Sequence, residues 1–391
     1  MRAPAVVVFV LALFAAPGAA SAQDPDEAVM LAASGRRDAI EPPRPMTLSN
    51  APDEAGVIGR VSVVATGVAT IAVELEIDAP APFGAATLEF VDQTRAVIGR
   101  IDLEGTSGVE RYWSPSYPNG FATVWLKAPS LPAGIRIEVV GLLKPTSNPQ
   151  PLSVWPRGTP PQFESLADVA LDDPALAAVG RAIARLEVRG KNGAFPCTGF
   201  LVGANKLLTN AHCLLPKGVD LCRGSYAYFG YDTAGQRFPP PGMRAIECKR
   251  YLAGSDPADV SLDYALVELA EPVGDERGFL KLAGASPVPA LALRVPQHPD
   301  GRPLAFARRD CVSDVNPKNG RGPDTDFGHT CDTQGGSSGS PMLDASNQVV
   351  GLHHWGRHPN ESYDKNRAVR IERIVADLRR RGLFPAEQEA P

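Results

Sequence analysis

All six cysteines of this 391-residue chain, Cys197, Cys213, Cys222, Cys248, Cys311 and Cys331, fall in its C-terminal half. An even set confined to one region of an exported chain reads as a disulfide framework, whose pairing the sequence alone leaves open. Export is expected from the N-terminus. Arg2 is followed by an apolar run from Val6 to Ala16, and Ala20-Ser21-Ala22 offers a small-x-small cleavage site before Gln23. The run is too short to span a bilayer, so residues 1–22 read as a signal peptide rather than a membrane anchor. A secreted or periplasmic chain is the expectation. A metal reading is weak, because there is no Cys-x-x-Cys pair and His353, His354 and His358 lack a cysteine or carboxylate set at ligand spacing. No metal or cofactor is expected.

The length exceeds one ordinary core and predicts two domains behind the leader. A formal charge of -5 gives no invitation to nucleic acid, and Arg379-Arg380-Arg381 reads as the solvated last turn of a helix. Residues 23–56, with Asp24, Asp26, Glu27, Pro42, Pro43 and Pro45, read as a leader or flexible segment. From 57 to 144 the pattern alternates. Ile71, Val73, Leu75 and Ile77 face one way against Ala72, Glu74 and Glu76, and Ile135, Ile137 and Val139 repeat the pattern. Glycines punctuate these strands, so the region reads as a small β-sandwich-like accessory or pro domain, with Trp113 and Trp125 as packing residues. Residues 145–178 read as a proline-rich linker and a short helix, which starts near Leu166 and is interrupted by Pro174. A second domain over 179–382 opens with a strand at Ile183 to Val188. It closes with a helix whose apolar face is Ile371, Ile374, Val375 and Leu378, leaving 383–391 as a tail.

Three segments of that domain carry chemistry. Gly335-Gly336-Ser337-Ser338-Gly339-Ser340-Pro341 holds a glycine-flanked serine, Thr209-Asn210-Ala211-His212-Cys213 a histidine, and Asp263 precedes the apolar run Tyr264 to Leu269. A serine hydroxyl becomes a nucleophile when an imidazole takes its proton and a buried carboxylate holds that imidazole in one tautomer. Each motif alone suits a surface loop or a structural residue, and Asp259 is the nearest rival to Asp263. Together, and in the order His212, Asp263, Ser338, they predict a nucleophile, base and orienting acid.

Over roughly residues 179–380 the sequence resembles the chymotrypsin-fold, trypsin-like serine peptidases, and within them the bacterial glutamyl endopeptidase-like branch. There Gly-x-Ser-Gly-Ser-Pro is followed by His-Trp-Gly, here His354-Trp355-Gly356. The resemblance implies an all-β fold of two antiparallel barrels with a C-terminal helix. It also implies a Cys197–Cys213 disulfide and an oxyanion hole from the N–H groups of Gly336 and Ser338. Cys222 with Cys248 and Cys311 with Cys331 are expected from proximity. Animal enzymes place an aspartate before the nucleophile to pair with a new N-terminal amine; Ser337 stands there, so that device is absent.

The pocket for P1, the substrate residue before the scissile bond, is read two ways. Thr333 and His354 fall where the resemblance places ligands for a P1 glutamate, beside Trp355 and Gly356. Asp332, six residues before Ser338, falls where trypsin-like enzymes hold lysine or arginine. A charged P1, basic over glutamate, is expected. The function expected is a serine endopeptidase acting on proteins or peptides. An inactive peptidase-like binding module and an esterase are the alternatives, and the sequence sets no oligomeric state.

Overall fold

The computed structural model describes residues 35–145, 152–153, 160–190, 193–254, 262–285, 287–314, 317–356 and 365–389. The expected signal peptide, most of the proline-rich linker, His358 and Asp259 lie outside these residues.

The C-terminal half is all-β, of the chymotrypsin type. Six strands, Ile183–Gly190, Gly193–Leu201, Lys206–Thr209, Tyr226–Phe229, Ala245–Gly254 and Ala265–Leu269, form a first barrel. It closes because Ile183–Gly190 pairs with both Gly193–Leu201 and Tyr226–Phe229, and closure leaves no bare sheet edge. A second ring is built on Asp326–His329, Asn366–Arg370, Val349–Trp355 and Pro341–Leu343. Antiparallel bridges Arg294 to Leu343, Ala292 to Val312 and Ser313 to His329 carry it round. One apolar cluster runs through both rings and takes in Ile371, Ile374, Val375 and Leu378 of the closing helix Ile371–Arg380. Within that helix Asp377 accepts from the Tyr264 hydroxyl. Arg380 and Arg381 of the expected solvated turn also pair with Asp377.

The expected helix after the linker is two helices, Leu166–Asp172 and Pro174–Val179. Ser165 and Asp168 form a capping box at the start of the first. Asp173 ends that helix and accepts from Leu176 N–H to cap the next, with Pro174 at the first helical position, where its missing N–H costs nothing.

Residues 35–45, within the segment read as a flexible leader, are a strand. Gly35–Pro45 pairs antiparallel with Arg136–Pro145, and its register breaks between Ala39 and Arg44, an irregularity that admits Pro42 and Pro43. Gly35 and Arg36 also pair with Ala194 and Gly193, so one sheet runs from the first barrel into the N-terminal region. There it faces a second sheet ordered Thr47–Leu48, Val57–Val64, Phe121–Lys127, Thr87–Val91, Val97–Asp102. Ile71, Val73, Leu75, Ile77, Leu88, Phe90, Val124 and Leu126 fill the space between, as the alternation dictates. The tryptophans lie outside this cluster. Trp113 is half-buried where the sandwich meets the barrel, its carbonyl accepting from the Tyr226 hydroxyl at 2.5 Å, and Trp125 is half-buried under Arg60.

The junction is polar and buried. Glu187 and Arg189 of the barrel, both under 10 % exposed, pair at 3.0 Å. Glu187 accepts from Ser116 Oγ at 2.7 Å and from the Tyr228 hydroxyl at 2.9 Å, while Arg189 donates to the Ser114 carbonyl at 3.2 Å. Burial alone would push the Glu187 carboxyl up; Arg189 and Arg185 outweigh it and hold the group below its usual range.

Candidate active site

Strand register sets the base beside its acid. Lys206–Thr209 pairs with Ala265–Leu269 so that Thr209 faces Ala265. The residues just beyond, His212 on the short helix Ala211–Leu214 and Asp263, therefore meet at one barrel end. Asn210 Nδ2 donates to the Asp263 carbonyl at 2.9 Å, and the His212 backbone N–H donates to Asp263 Oδ1 at 3.0 Å. His212 Nδ1 then lies 2.7 Å from Asp263 Oδ2. With Nδ1 protonated towards Asp263, Nε2 is left with a lone pair. That Nε2 is buried and has no hydrogen-bond partner among the described residues.

Ser338 comes from the second ring. Its carbonyl accepts from Thr198 N–H at 2.8 Å, and Gly339 N–H donates to the His353 carbonyl at 2.9 Å, which stitches the nucleophile turn across the seam between the rings. The disulfide Cys197–Cys213 joins the strand carrying Thr198 to the turn carrying His212. Cys222–Cys248 and Cys311–Cys331 are the other two bridges, so the three pairings are those expected. Ser338 is half-buried whereas Ser337 and Ser340 are buried and bonded to the turn, which singles out Ser338 as the reachable hydroxyl.

The glycines around it are required. Gly336 has φ +96°, and a Cβ there would come 2.7 Å from the His298 carbonyl; Gly339 has φ +87° and a Cβ 2.1 Å from the Thr198 carbonyl. The turn before Ser338 is held by backbone and hydroxyl hydrogen bonds, with Arg302 donating to the Gln334 side chain at 2.7 Å. Gln334 N–H donates to Ser337 Oγ at 3.0 Å and Ser337 N–H to the Gln334 carbonyl at 2.8 Å. Thr198 Oγ1 donates to the Gly336 carbonyl at 2.8 Å, and Asp300 N–H to that of Gly335 at 2.6 Å. These bonds turn the carbonyls away, while the N–H groups of Gly336 and Ser338 have no backbone acceptor among the described residues.

The expected pocket residues divide. Thr333 is buried, and its Oγ1 accepts from Asn366 Nδ2 at 3.2 Å. Asp332 is buried, and its Oδ2 accepts from Gln162 N–H at 2.7 Å, at the point where the chain enters from the linker. Trp355 is half-buried against His354 and Gly356 is exposed. His354 departs from its expected place. Its Nδ1 lies 3.2 Å from Asp263 Oδ2 and its Nε2 2.7 Å from Asp326 Oδ2, so both ring nitrogens face buried carboxylates rather than a substrate. The register of Val349–Trp355 against Asn366–Arg370 breaks between His353 and Trp355, and at this irregularity the His354 ring parts from that of His353, which lies 3.1 Å from His329.

Asp263 thus gathers three donors on Oδ2: His212, His354, and Arg321 at 3.2 Å. Burial alone would raise its carboxyl; His212 and then Arg321 override this and hold it well below the usual carboxylate range. His329 is driven down to about 3 by burial, and His353 is also depressed, first by burial and then by its histidine neighbours. Asp326 and Arg321 were not singled out in the sequence, where Asp324 and Asp326 are equivalent strand-edge acids and only the histidine doublet hints at a second imidazole.

Residues 197–352 match the family model described as a trypsin-like peptidase domain. Among curated proteins, a secreted RxLR effector protein 73 of Plasmopara viticola is 34% identical over 221 residues, covering 52% of this chain and 51% of that protein. Glutamyl endopeptidases of Bacillus licheniformis and Staphylococcus aureus are 24% and 26% identical over 196 and 202 residues, 46% and 51% of this chain. The chain spans about half the length of the curated relatives it matches: 51% of the first and 57% of each of the other two. Of the solved structures, a Glu endopeptidase in complex with MPD covers 58% of this chain and 98% of its own at 18% identity and TM-score 0.44. A thermostable serine protease AL20 from an extremophilic microorganism covers 51% and 95% at 16% identity and TM-score 0.41. Residues 197–352 are thus the part of the chain that carries the likeness to the trypsin-like peptidase domain.

Proposed function

We propose that the chain is an exported serine endopeptidase that cleaves proteins through an acyl-enzyme. The observation that carries this is the buried Asp263–His212 pair with His212 Nε2 left unpartnered, on the seam that also holds the half-buried Ser338. Ser338 Oγ attacks the scissile carbonyl as His212 Nε2 takes its proton, and the carbonyl oxygen becomes an anion held by the N–H groups of Gly336 and Ser338. His212 then gives the proton to the leaving amine, and the peptide bond breaks to leave an ester on Ser338. Water attacks that ester with the same base, the acid product leaves, and the serine proton returns.

The turn that carries the oxyanion donors is held by Ser337, Gln334, Thr198 and the Asp300 N–H, with Arg302 donating to the Gln334 side chain at 2.7 Å. Ser337 stands where the animal enzymes' aspartate would be, which supports activity without a new N-terminal amine. The buried Glu187–Arg189 junction and the sheet shared through Gly35 support a sandwich that stays attached after the signal is removed. Export is supported by the three disulfides and by the printed name of the Plasmopara relative.

For P1 the basic reading is retained. With both nitrogens committed to carboxylates, His354 has none to offer a glutamate, which favours the basic reading over the acidic one. Purified protein should be labelled by a fluorophosphonate at Ser338, and Ser338→Ala should abolish labelling and casein cleavage while leaving the fold intact. Absence of labelling in folded protein would leave a binding module, and ester cleavage without casein cleavage an esterase. Mass spectrometry of a cut peptide library should show cleavage after lysine and arginine; cleavage after glutamate would reverse the pocket assignment.

A further inference from the structure

Beyond the three residues of the peptidase mechanism, a second histidine is bonded to the catalytic acid. We infer that His354 is an imidazolium held between Asp326 and Asp263, and that it acts as a positioning residue that lowers the basicity of His212. This rests on the proposed peptidase reading for its kinetic consequence, though not for its electrostatics.

The geometry carries the inference. A line of buried groups runs from Asp326 Oδ2, 2.7 Å to His354 Nε2, through the ring to Nδ1, 3.2 Å to Asp263 Oδ2, then 2.7 Å to His212 Nδ1. A carboxylate accepts and cannot donate, so each ring nitrogen that faces one must carry a proton. His354 faces two and is about 1 % exposed in its side chain, so the doubly protonated, cationic ring satisfies both contacts. A neutral ring would leave one buried carboxylate against a lone pair.

The surrounding charges agree. Asp326 Oδ1 accepts from Thr325 Oγ1 at 2.9 Å, which fixes the far carboxylate as acceptor. Arg321 reaches Asp263 Oδ2 at 3.2 Å from the loop over the site. His353 and His329, the other imidazoles packed here, are driven down by burial and stay neutral, the backbone of Arg367 only partly opposing this at His329. Burial opposes the charge on His354 too, but Asp326 first and then Asp263 overcome it and raise the ring to about 9. Trp355 lies over the imidazole, ring centroids 5.3 Å apart, and covers its outer face.

The consequence is a tuned base. Asp263 alone would hold the imidazolium of His212 strongly and make it a reluctant acid towards the leaving amine. A cation on the same carboxylate oxygen withdraws part of that attraction and makes His212 a readier acid towards the leaving amine. Without the cation Asp263 holds the imidazolium more tightly. Above the titration of His354 itself the balance changes again, which predicts an alkaline limb near pH 9 in kcat/KM.

The test reads both rings directly. Protein with 15N-labelled histidine is titrated by NMR from pH 5 to 10 as wild type, as His354→Ser and as Asp326→Asn, with circular dichroism confirming the fold. In the wild type the ring of His354 should be protonated on both nitrogens at pH 7.5 and titrate near 9. In His354→Ser the imidazolium of His212 should be held more tightly by Asp263 than in the wild type. Asp326→Asn should bring the titration of His354 down towards the neutral range. In kcat/KM the acid limb should move up with His212, and the alkaline limb near pH 9 should vanish in His354→Ser. A neutral His354 ring at pH 7.5 in the wild type, or a His212 titration unchanged in a folded variant, overturns the inference. If wild-type protein resists fluorophosphonate while these titrations appear as described, the peptidase reading falls and the electrostatic assignment stands. Should His354→Ser not fold, the wild-type titration and Asp326→Asn decide it.

Discussion

Ser338, His212 and Asp263 were legible as single residues because each sits in a short motif whose spacing has a chemical reason. Neutral partners such as Thr198 were not, since a threonine inside a strand carries no signal until the seam between the rings closes on it. Its hydroxyl donates to the Gly336 carbonyl at 2.8 Å while accepting from His298 N–H at 3.0 Å, and its backbone N–H holds the Ser338 carbonyl. Thr198→Val keeps the shape and removes only the hydroxyl. The Gly336 peptide is then free to rotate, and the oxyanion donor it presents is lost part of the time. We expect kcat to fall by about ten- to a hundredfold, less than the roughly hundred- to thousandfold cost of removing an oxyanion-hole donor outright, with KM little changed and the unfolding free energy within about 1–2 kcal/mol of wild type. A change in KM with kcat preserved would place Thr198 outside the oxyanion turn.

At the level of elements, alternation and turn residues located the strands well where one face is wet, as in Thr70–Ala79 and Arg136–Pro145. They failed at Gly35–Pro45, because a strand with Pro42 and Pro43 mimics a linker and is held by partners a hundred residues away. The cysteines compensate by naming which elements must meet. Cys197–Cys213 closes a separation of 16 residues between the strand of Thr198 and the helix of His212, whereas Cys222–Cys248 closes 26 residues on the far side of the barrel. Loop closure alone makes the two similar in stability, about 3 kcal/mol each by the chain-entropy estimate. Function separates them. Replacing Cys197 and Cys213 together by alanine should lower both the unfolding midpoint and kcat. The same change at Cys222 and Cys248 should lower the midpoint comparably and leave kcat of the folded fraction near wild type. Equal losses of kcat in the two would show that the bridge beside His212 has no positioning role.

The whole molecule is a barrel pair joined to a sandwich, and the sequence separated the two halves without revealing that their junction is buried. Glu187 and Arg189 look like the wet face of an alternating strand, and only the docking of Ser114 and Ser116 turns that face inward. A cavity of about 1010 Å³ opens beside the junction, with Thr87, Arg100 and Asp102 of the sandwich facing Arg223, Glu247 and Lys249 of the barrel. Glu247 is the acid most strained by this arrangement. Burial raises its carboxyl to about 7, and Arg223 and the Gly224 N–H only partly offset it. In the unfolded chain the same group ionises near 4.5, so the native state binds the proton more tightly and loses stability as the pH climbs from about 4.5 to 7. Above that window the penalty is constant; below it the penalty is absent. Glu247→Gln removes the ionisation and keeps a side chain of the same size. Its unfolding midpoint should match wild type at pH 4, diverge across the window, and exceed it at pH 8 by a few degrees, corresponding to about 1–3 kcal/mol. Thermal melts of full-length Ser338→Ala, with and without Glu247→Gln, would read this without self-digestion. If the two melting curves stay parallel from pH 4 to 8, the carboxyl is solvated and the junction is open where the structure closes it.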